Sequence, residues 1–218
     1  MGSQGERASV VSLLRALVIT TLGHFGDTAV IETARQRFTS FQHNPETLPS
    51  ELRDPVATVV GQWADSKTYS DLHKRAQQEE STEAKLRYYY ALASARDAML
   101  MDETVKIALT DQQLPSGRVV SFLETAAQES DDPERVWKLV FASRTPLLEK
   151  LDDDSKAKFL PRIAGASSSQ SVAKELKTAE ESGFSVGARY EADKTVEQIE
   201  ANFDLRGATD TGRGCVGS

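Results

Sequence analysis

Residues 83–97, EAKLRYYYALASARD, are the stretch that decides the fold of this chain. Their apolar side chains recur about three to four residues apart, which is the spacing of one face of an α-helix. The alternation of apolar and polar residues that is typical of a half-buried strand is missing. The segment therefore predicts an amphipathic helix that buries one side against other helices. The residues that share this side are Leu86, Tyr89, Tyr90 and Ala93.

The same helical spacing continues on both sides of this segment, and no strand pattern of useful length interrupts it. Each stripe of apolar residues is expected to be the buried side of one helix. The clearest stripes are Val10, Leu13, Leu14, Leu17 and Val18; Ile31, Ala34, Phe38 and Phe41; Leu52, Val56, Val59, Val60 and Trp63; and Val136, Leu139 and Val140.

Capping residues and prolines mark where helices begin. Asp27 follows Gly26, and Asp132 and Thr145 each precede a proline. An aspartate or threonine oxygen can accept a hydrogen bond from a free backbone N–H of the first helical turn. Proline is favoured at the first helical position because the N–H that it lacks has no partner there anyway. Helices are therefore predicted to begin after Asp27, Asp132 and Thr145.

The predicted helices come in pairs that restart near residues 7, 50, 81, 116 and 153. This period of roughly 30–40 residues is that of helical-hairpin repeats. Each hairpin has an apolar face that only a neighbouring hairpin can bury. We therefore expect an all-α fold, a curved α-solenoid of stacked antiparallel helical hairpins of the HEAT/armadillo type, rather than a globular bundle. Residues 7–206 are the expected repeat domain, with a cloning remnant or flexible N-terminus at 1–6 and a flexible tail at 207–218.

The composition excludes several classes of partner. The net charge is −7 and the basic residues are interspersed with acidic ones, which argues against nucleic acid. No run of about 18 apolar residues suggests a membrane-spanning helix. The N-terminal residues lack the apolar core of a signal peptide. The sequence thus predicts a soluble segment with no membrane or nucleic-acid partner, and no targeting signal assigns it a compartment.

Catalytic and metal-binding motifs are missing from the sequence. The helical zinc motif H-E-x-x-H needs two histidines one turn apart and a glutamate that activates water. None of His24, His43 and His73 is followed by glutamate, and no two of them have that spacing. Neither a nucleophile motif nor a glycine-rich phosphate loop is present. We therefore expect no catalytic residue, metal or cofactor in this chain.

Four segments, in this order and at this spacing, resemble landmarks of a known domain: Tyr89–Asp97, Val136–Val140, Leu147–Leu151 and Val196–Asn202. Together they resemble the C-terminal helical domain of the zinc aminopeptidases of the aminopeptidase N and puromycin-sensitive family. The resemblance covers about Val10 to Leu205. It departs from the family pattern at Arg144-Thr145-Pro146, where the family usually has Asn-Trp. The differing residues occupy packing positions, which suggests a diverged member with the same fold.

The resemblance implies a function for the chain. In that family the domain packs against the zinc-bearing catalytic domain of the same parent chain and covers its active site. It thereby helps to bind the peptide substrate and to set the preferred peptide length. The zinc would belong to the catalytic domain, and this chain would be a lid rather than an enzyme. The alternative is a free-standing helical-repeat scaffold that binds a protein partner on its concave face.

Residues that contact a peptide would include cations for its carboxylate and aromatic groups for its side chains. The other interpretation of each arginine is a surface ion pair with a nearby acid. The candidates for peptide contact are Arg53, Arg87, Tyr88, Arg96 and Arg118.

Overall fold

The structure, a computed structural model, describes residues 4–181 and 186–213, and every regular element in those ranges is helical. The prediction of an all-α fold is confirmed. Short 3-10 helices at Pro45–Thr47, Ala98–Leu100 and Ser116–Arg118 each precede an α-helix. The α-helices are α1 (Gln4–His24), α2 (Thr28–His43), α3 (Ser50–Gln62), α4 (Ser66–Gln78), α5 (Thr82–Ala93), α6 (Met101–Thr110), α7 (Val119–Glu129), α8 (Pro133–Ala142), α9 (Arg144–Leu148), α10 (Asp153–Ala164), α11 (Gln170–Glu181) and α12 (Val186–Arg213).

The predicted restarts of the helix pairs agree with the observed helix bounds. Helices α3, α5 and α10 begin at Ser50, Thr82 and Asp153, and the 3-10 helix before α7 begins at Ser116. The chain divides into two compact units, Met1–Leu100 and Met101–Ser218. Helix α1 begins at Gln4 and α12 continues to Arg213, so helical structure extends into both segments that we expected outside the repeat domain. Residues 214–218 of the expected tail lie outside the described part of the chain.

In the first unit, α1, α3 and α5 stack side by side and run in the same direction. Along the α3–α5 contact, Arg87 bonds to Asp54 and Gly61 lies against the backbone of Ala91, so both helices advance together. Gly23, near the end of α1, similarly lies against Val59, near the end of α3. Every second helix is therefore parallel, as expected when antiparallel hairpins are stacked on one another.

The buried side of α1 is not the one that the apolar stripe predicts. Val10, Leu13, Leu14 and Leu17 are between 54 and 68 % exposed, and Gly23, on another side of the helix, is buried against α3. The prediction of a buried stripe was wrong because α1 is apolar on both sides. The side that contains the small Gly23 is buried because it lets α3 approach more closely. Among the described residues no single helix is long and apolar enough to cross a membrane. Residues Val10–His24 and helix α2 together have the length and apolar composition of a membrane span, but the two segments are bent by 116° with respect to each other.

The second unit has a core built from α7, α8, α10, α11 and α12. Trp137 of α8 is fully buried and stacks on Phe141, with ring centroids 5.1 Å apart. Phe122 of α7 and Phe159 of α10 are buried as well. Helix α12 packs along α10 and α11. The predicted apolar stripe of α8 therefore faces the core.

Side-chain caps begin several helices as the sequence predicts. Asp27 Oδ1 accepts a hydrogen bond from Val30 N at 2.9 Å, and Asp132 Oδ1 accepts one from Arg135 N at the same distance. Gly26, before the first of these caps, has φ +81°, a conformation that glycine adopts without strain. The predicted start after Thr145 was wrong, because α9 begins at Arg144 and no side-chain hydrogen bond caps it.

Candidate functional site

Arg87 holds α5 against α3 from a buried position. Its side chain is only 4 % exposed, and its Nε donates to Asp54 Oδ1 at 2.5 Å. A second nitrogen donates to Glu83 Oε1 at 2.9 Å. Both acids are largely exposed, whereas Arg87 is buried. The two carboxylates therefore lie between the guanidinium and the solvent. This geometry supports the interpretation of Arg87 as one partner of an ion pair with nearby acids.

Tyr88 also lies inside the first unit. It is 5 % exposed, and its ring meets Phe38 of α2 edge-on with centroids 6.2 Å apart. Burial raises the pKa of the Tyr88 phenol, because the charged phenolate is poorly solvated there. In this arrangement the aromatic body of Tyr88 contributes to the packing between α2 and α5.

Arg53 bonds to the connection between α2 and α3. Its guanidinium donates to the carbonyl oxygens of Leu48 at 3.2 Å and Pro45 at 3.1 Å. It also lies over the ring of Phe41, 5.3 Å from the centroid. The half-buried side chain therefore fixes the turn that leads into α3, and only its remaining surface faces outward.

Arg96 holds the C-terminal end of α1. It donates to the carbonyl oxygen of His24 at 2.6 Å and lies over Trp63, 5.0 Å from the ring centroid. Trp63 Nε1 donates to the neighbouring carbonyl of Gly23 at 2.8 Å. The last carbonyl groups of a helix carry partial negative charge and lack partners within the helix, so a cation there is stabilising.

Arg118 differs from the other candidates and belongs to the second unit. It is exposed, and no described side chain forms an ion pair with it. Its backbone N–H donates to Pro115 and its carbonyl accepts from Ser121, which places it at the start of α7. Of the five candidates, Arg118 is thus the exposed cation that keeps its side chain available to a ligand.

A polar groove in the second unit was not anticipated from the sequence. It has a volume of about 280 Å³ and lies between α7, α10 and α12. Glu124 bonds to Arg162 at 3.5 Å across it, and Lys158 is paired with Asp154 at 2.8 Å. The exposed Lys194 has no ion-pair partner among the described residues. Charges of both signs in one groove suit a polar chain such as a peptide backbone with its side chains.

One signal in the sequence could have found this groove. Lys158 and Arg162 are one turn apart on α10, and Glu191, Lys194 and Gln198 recur at helical spacing on α12. Each set forms one polar face of a helix. The spacing alone, however, resembles that of an ordinary solvated face, and only the fold shows that the two faces meet.

The chain does not fit a zinc site in the part that the structure describes. No group of three or more His, Cys, Asp or Glu side chains among those residues could hold a metal ion. His24 lies at the end of α1, His43 at the end of α2, and His73 within α4. We derive no chemical step through a metal in this chain.

The buried and exposed arginines predict different stability effects. Arg87→Ala should lower the free energy of unfolding by about 2 kcal/mol, because it removes a charge-assisted hydrogen bond to Asp54 on α3 and a second one to Glu83 within α5. Arg118→Ala should change it by less than about 0.5 kcal/mol, as at other exposed sites. Urea unfolding of the two variants measures the difference. An Arg87→Ala variant as stable as Arg118→Ala would contradict the structural role of Arg87.

Most of this chain matches a known protein family. The family described as "ERAP1-like C-terminal domain" matches residues 3–201. The match therefore extends over most of both compact units and over the four segments on which the resemblance in the sequence was based, except for Asn202.

Proposed function

The chain belongs to the ERAP1-like C-terminal domain family, the C-terminal domain of M1 aminopeptidases, and from that premise we propose that it is the non-catalytic lid of a zinc-dependent aminopeptidase. The proposed lid covers the active site of a catalytic domain in the same parent chain. Zinc and the hydrolytic residues belong to that catalytic domain. The observation that carries this proposal is the family match over residues 3–201.

A lid of this kind acts by position and not by chemistry. Closing a domain over an active site excludes water and brings remote binding groups to the substrate. Contacts far from the reacting bond then help to orient a long substrate, whereas a short one cannot reach them. The stacked helices of the first unit, joined by contacts such as that of the buried Arg87 with the exposed Asp54, support such a role because they form a rigid surface.

The proposed peptide contacts follow from which polar groups remain available. Arg118 and Lys194 are exposed cations without an ion pair among the described residues, and they are the first choices. Arg53 and Arg96 already bond to backbone carbonyl groups, which leaves them partial access. Arg87, like Tyr88, is buried, so its contribution to peptide binding would be indirect.

The test uses the intact parent enzyme and two substrates. Arg118→Ala and Lys194→Ala are each introduced and assayed on a nonapeptide and on a single-residue anilide. A lost charge-assisted contact lowers kcat/KM by about tenfold. We expect that fall for the nonapeptide with at least one variant, and no change for the anilide, which reaches only the catalytic domain.

Arg189→Ala is the matched control, because Arg189 is exposed on α12 and does not line the polar groove. It should leave kcat/KM unchanged for both substrates. If Arg118→Ala and Lys194→Ala lower kcat/KM by the same factor for both substrates, or leave it unchanged for both, these residues do not contact the peptide. If removal of the whole domain also lowers kcat/KM for the nonapeptide by no more than it lowers kcat/KM for the anilide, the lid proposal itself fails.

A further inference from the structure

An apolar groove opens between α1 and α2, above α3. Its volume is about 310 Å³, near the lower end of the range for ligand pockets. Leu52 and Val56 of α3 are buried beneath it, and Ile19 and Val30 contribute to its sides. The depth and composition suit a single large apolar side chain that enters from outside.

Two arginines border this groove. Arg15 of α1 and Arg37 of α2 line it, both are exposed, and neither has an ion-pair partner among the described residues. A purely aliphatic surface accepts any apolar partner, but two cations at its border favour one that carries carboxylates next to its apolar group. The groove therefore selects a segment in which an apolar side chain lies beside acids.

A segment in the C-terminal half of α12, residues 200–204, has that composition. Phe203 is 44 % exposed, a large apolar side chain on the surface of the second unit. Glu200 and Asp204 are exposed and one helical turn apart, so their carboxylates lie on adjacent positions of one helix face. Phe203 is next to Asp204 and lies on the flank of that acidic face. The exposed Phe203 and the two acids are thus complementary to the apolar groove and its two arginines.

We propose that the α1–α2 groove binds the α12 segment Glu200–Asp204 of a second copy of this chain. Phe203 enters the groove, and the two carboxylates approach Arg15 and Arg37. The two surfaces are different, so the contact is heterologous, and a pair of copies keeps one free groove and one free α12 segment. Association then continues beyond a dimer or closes into a ring. The proposal does not depend on the lid function.

The first experiment measures the mass of the full chain by light scattering over a wide range of concentrations. We expect the mass to rise with concentration and to fall as salt is added, because salt screens exposed charge pairs. Arg15→Glu/Arg37→Glu and Glu200→Lys/Asp204→Lys should each weaken association at least tenfold. Phe203→Ala, which changes one exposed side chain, should weaken it as well. Circular dichroism checks that every variant is folded.

The second experiment mixes the two charge-reversed variants. Each has one intact surface of the original sign and one reversed surface. In the mixture the reversed groove can pair with the reversed α12 segment, and the intact groove with the intact α12 segment. We expect the mixture to associate although neither variant does so alone. Arg118→Glu/Lys138→Glu changes the charge by the same amount as Arg15→Glu/Arg37→Glu. Both residues are exposed and line neither the groove nor the pocket that contains Glu200, so this control should associate like the unchanged chain.

Three results would overturn the proposal. One is a chain that stays monomeric at every concentration. Another is a mixture that remains monomeric while the unchanged chain associates. The third is association that survives Arg15→Glu/Arg37→Glu but is lost in Leu13→Lys/Leu17→Lys, which would assign the contact to the aliphatic side of α1 instead.

Discussion

Trp137→Ala is expected to lower the free energy of unfolding by about 3–5 kcal/mol, the range for removing a large buried aromatic side chain. Trp137 is fully buried in the second unit. Its ring stacks on Phe141 at 5.1 Å, and its Nε1 donates to Glu175 Oε2 at 2.8 Å. Alanine would leave a cavity and remove the partner of that carboxylate. Urea unfolding, with the midpoint and slope both fitted, measures the loss.

Two control variants separate the causes of this effect. Trp137→Phe keeps an aromatic ring on Phe141 but loses the hydrogen bond to Glu175, so it should cost clearly less than alanine. His43→Ala changes an exposed side chain at the end of α2 and should cost less than about 0.5 kcal/mol. Equally small losses for Trp137→Ala and His43→Ala would show that the buried face of α8 is assigned wrongly.

Gly61→Ala is expected to destabilise the first unit by about 3 kcal/mol or more, at or above the upper end for overpacking. A Cβ at this position would lie 1.9 Å from the backbone oxygen of Ala91 on α5. The obstacle is backbone, which cannot rotate away as a side chain can. Helices α3 and α5 would therefore have to separate, which also disturbs the Arg87–Asp54 ion pair. Thermal and urea unfolding both report the change.

Gly117→Ala is the matched control for this substitution. A Cβ at Gly117 would meet nothing within 4 Å. The free energy of unfolding should therefore change by no more than about 0.5 kcal/mol. The close approach of α3 and α5 is refuted if the two alanine variants prove equally stable.

The parts of the fold that local chemistry determines were predictable from the sequence. A cap such as Asp27 or Asp132 satisfies backbone groups only two or three residues away, so its effect can be read without the tertiary structure. The same is true of helical spacing, which fixes that the chain is all-α and where its helix pairs restart. The prediction at Thr145 failed because threonine before proline is only a preference, and α9 begins at Arg144, two residues before the predicted start at Pro146.

The buried side of a helix was predictable only where one side is apolar. Helix α1 is apolar on two sides, and the choice between them depends on how closely α3 approaches Gly23. The roles of the arginines depended on distant residues in the same way. Arg87 lies 33 positions from Asp54, and Arg96 lies 72 positions from His24. No local pattern in the sequence connects either pair.

The polar groove of the second unit could not be predicted for a related reason. Its walls come from α7, α10 and α12, and each contributes an ordinary polar face. A polar helix face that is exposed to solvent and one that lines a groove show the same sequence pattern. The difference appears only when Glu124 and Arg162, 38 positions apart, come within hydrogen-bonding distance.

The parallel stack of α1, α3 and α5 has a consequence for how the first unit folds. Its contacts join each helix to the helix two places along the chain, which puts 33 positions between Asp54 and Arg87. Each such contact closes a loop of similar length, so the entropy lost in adding one more helix to the stack is similar at each step. Because each helix relies chiefly on its immediate neighbours, a folded pair can serve as the nucleus to which the next helix is added. We expect local opening to begin at α1, whose outer side is exposed, and to reach α3 last, because α3 packs between α1 and α5.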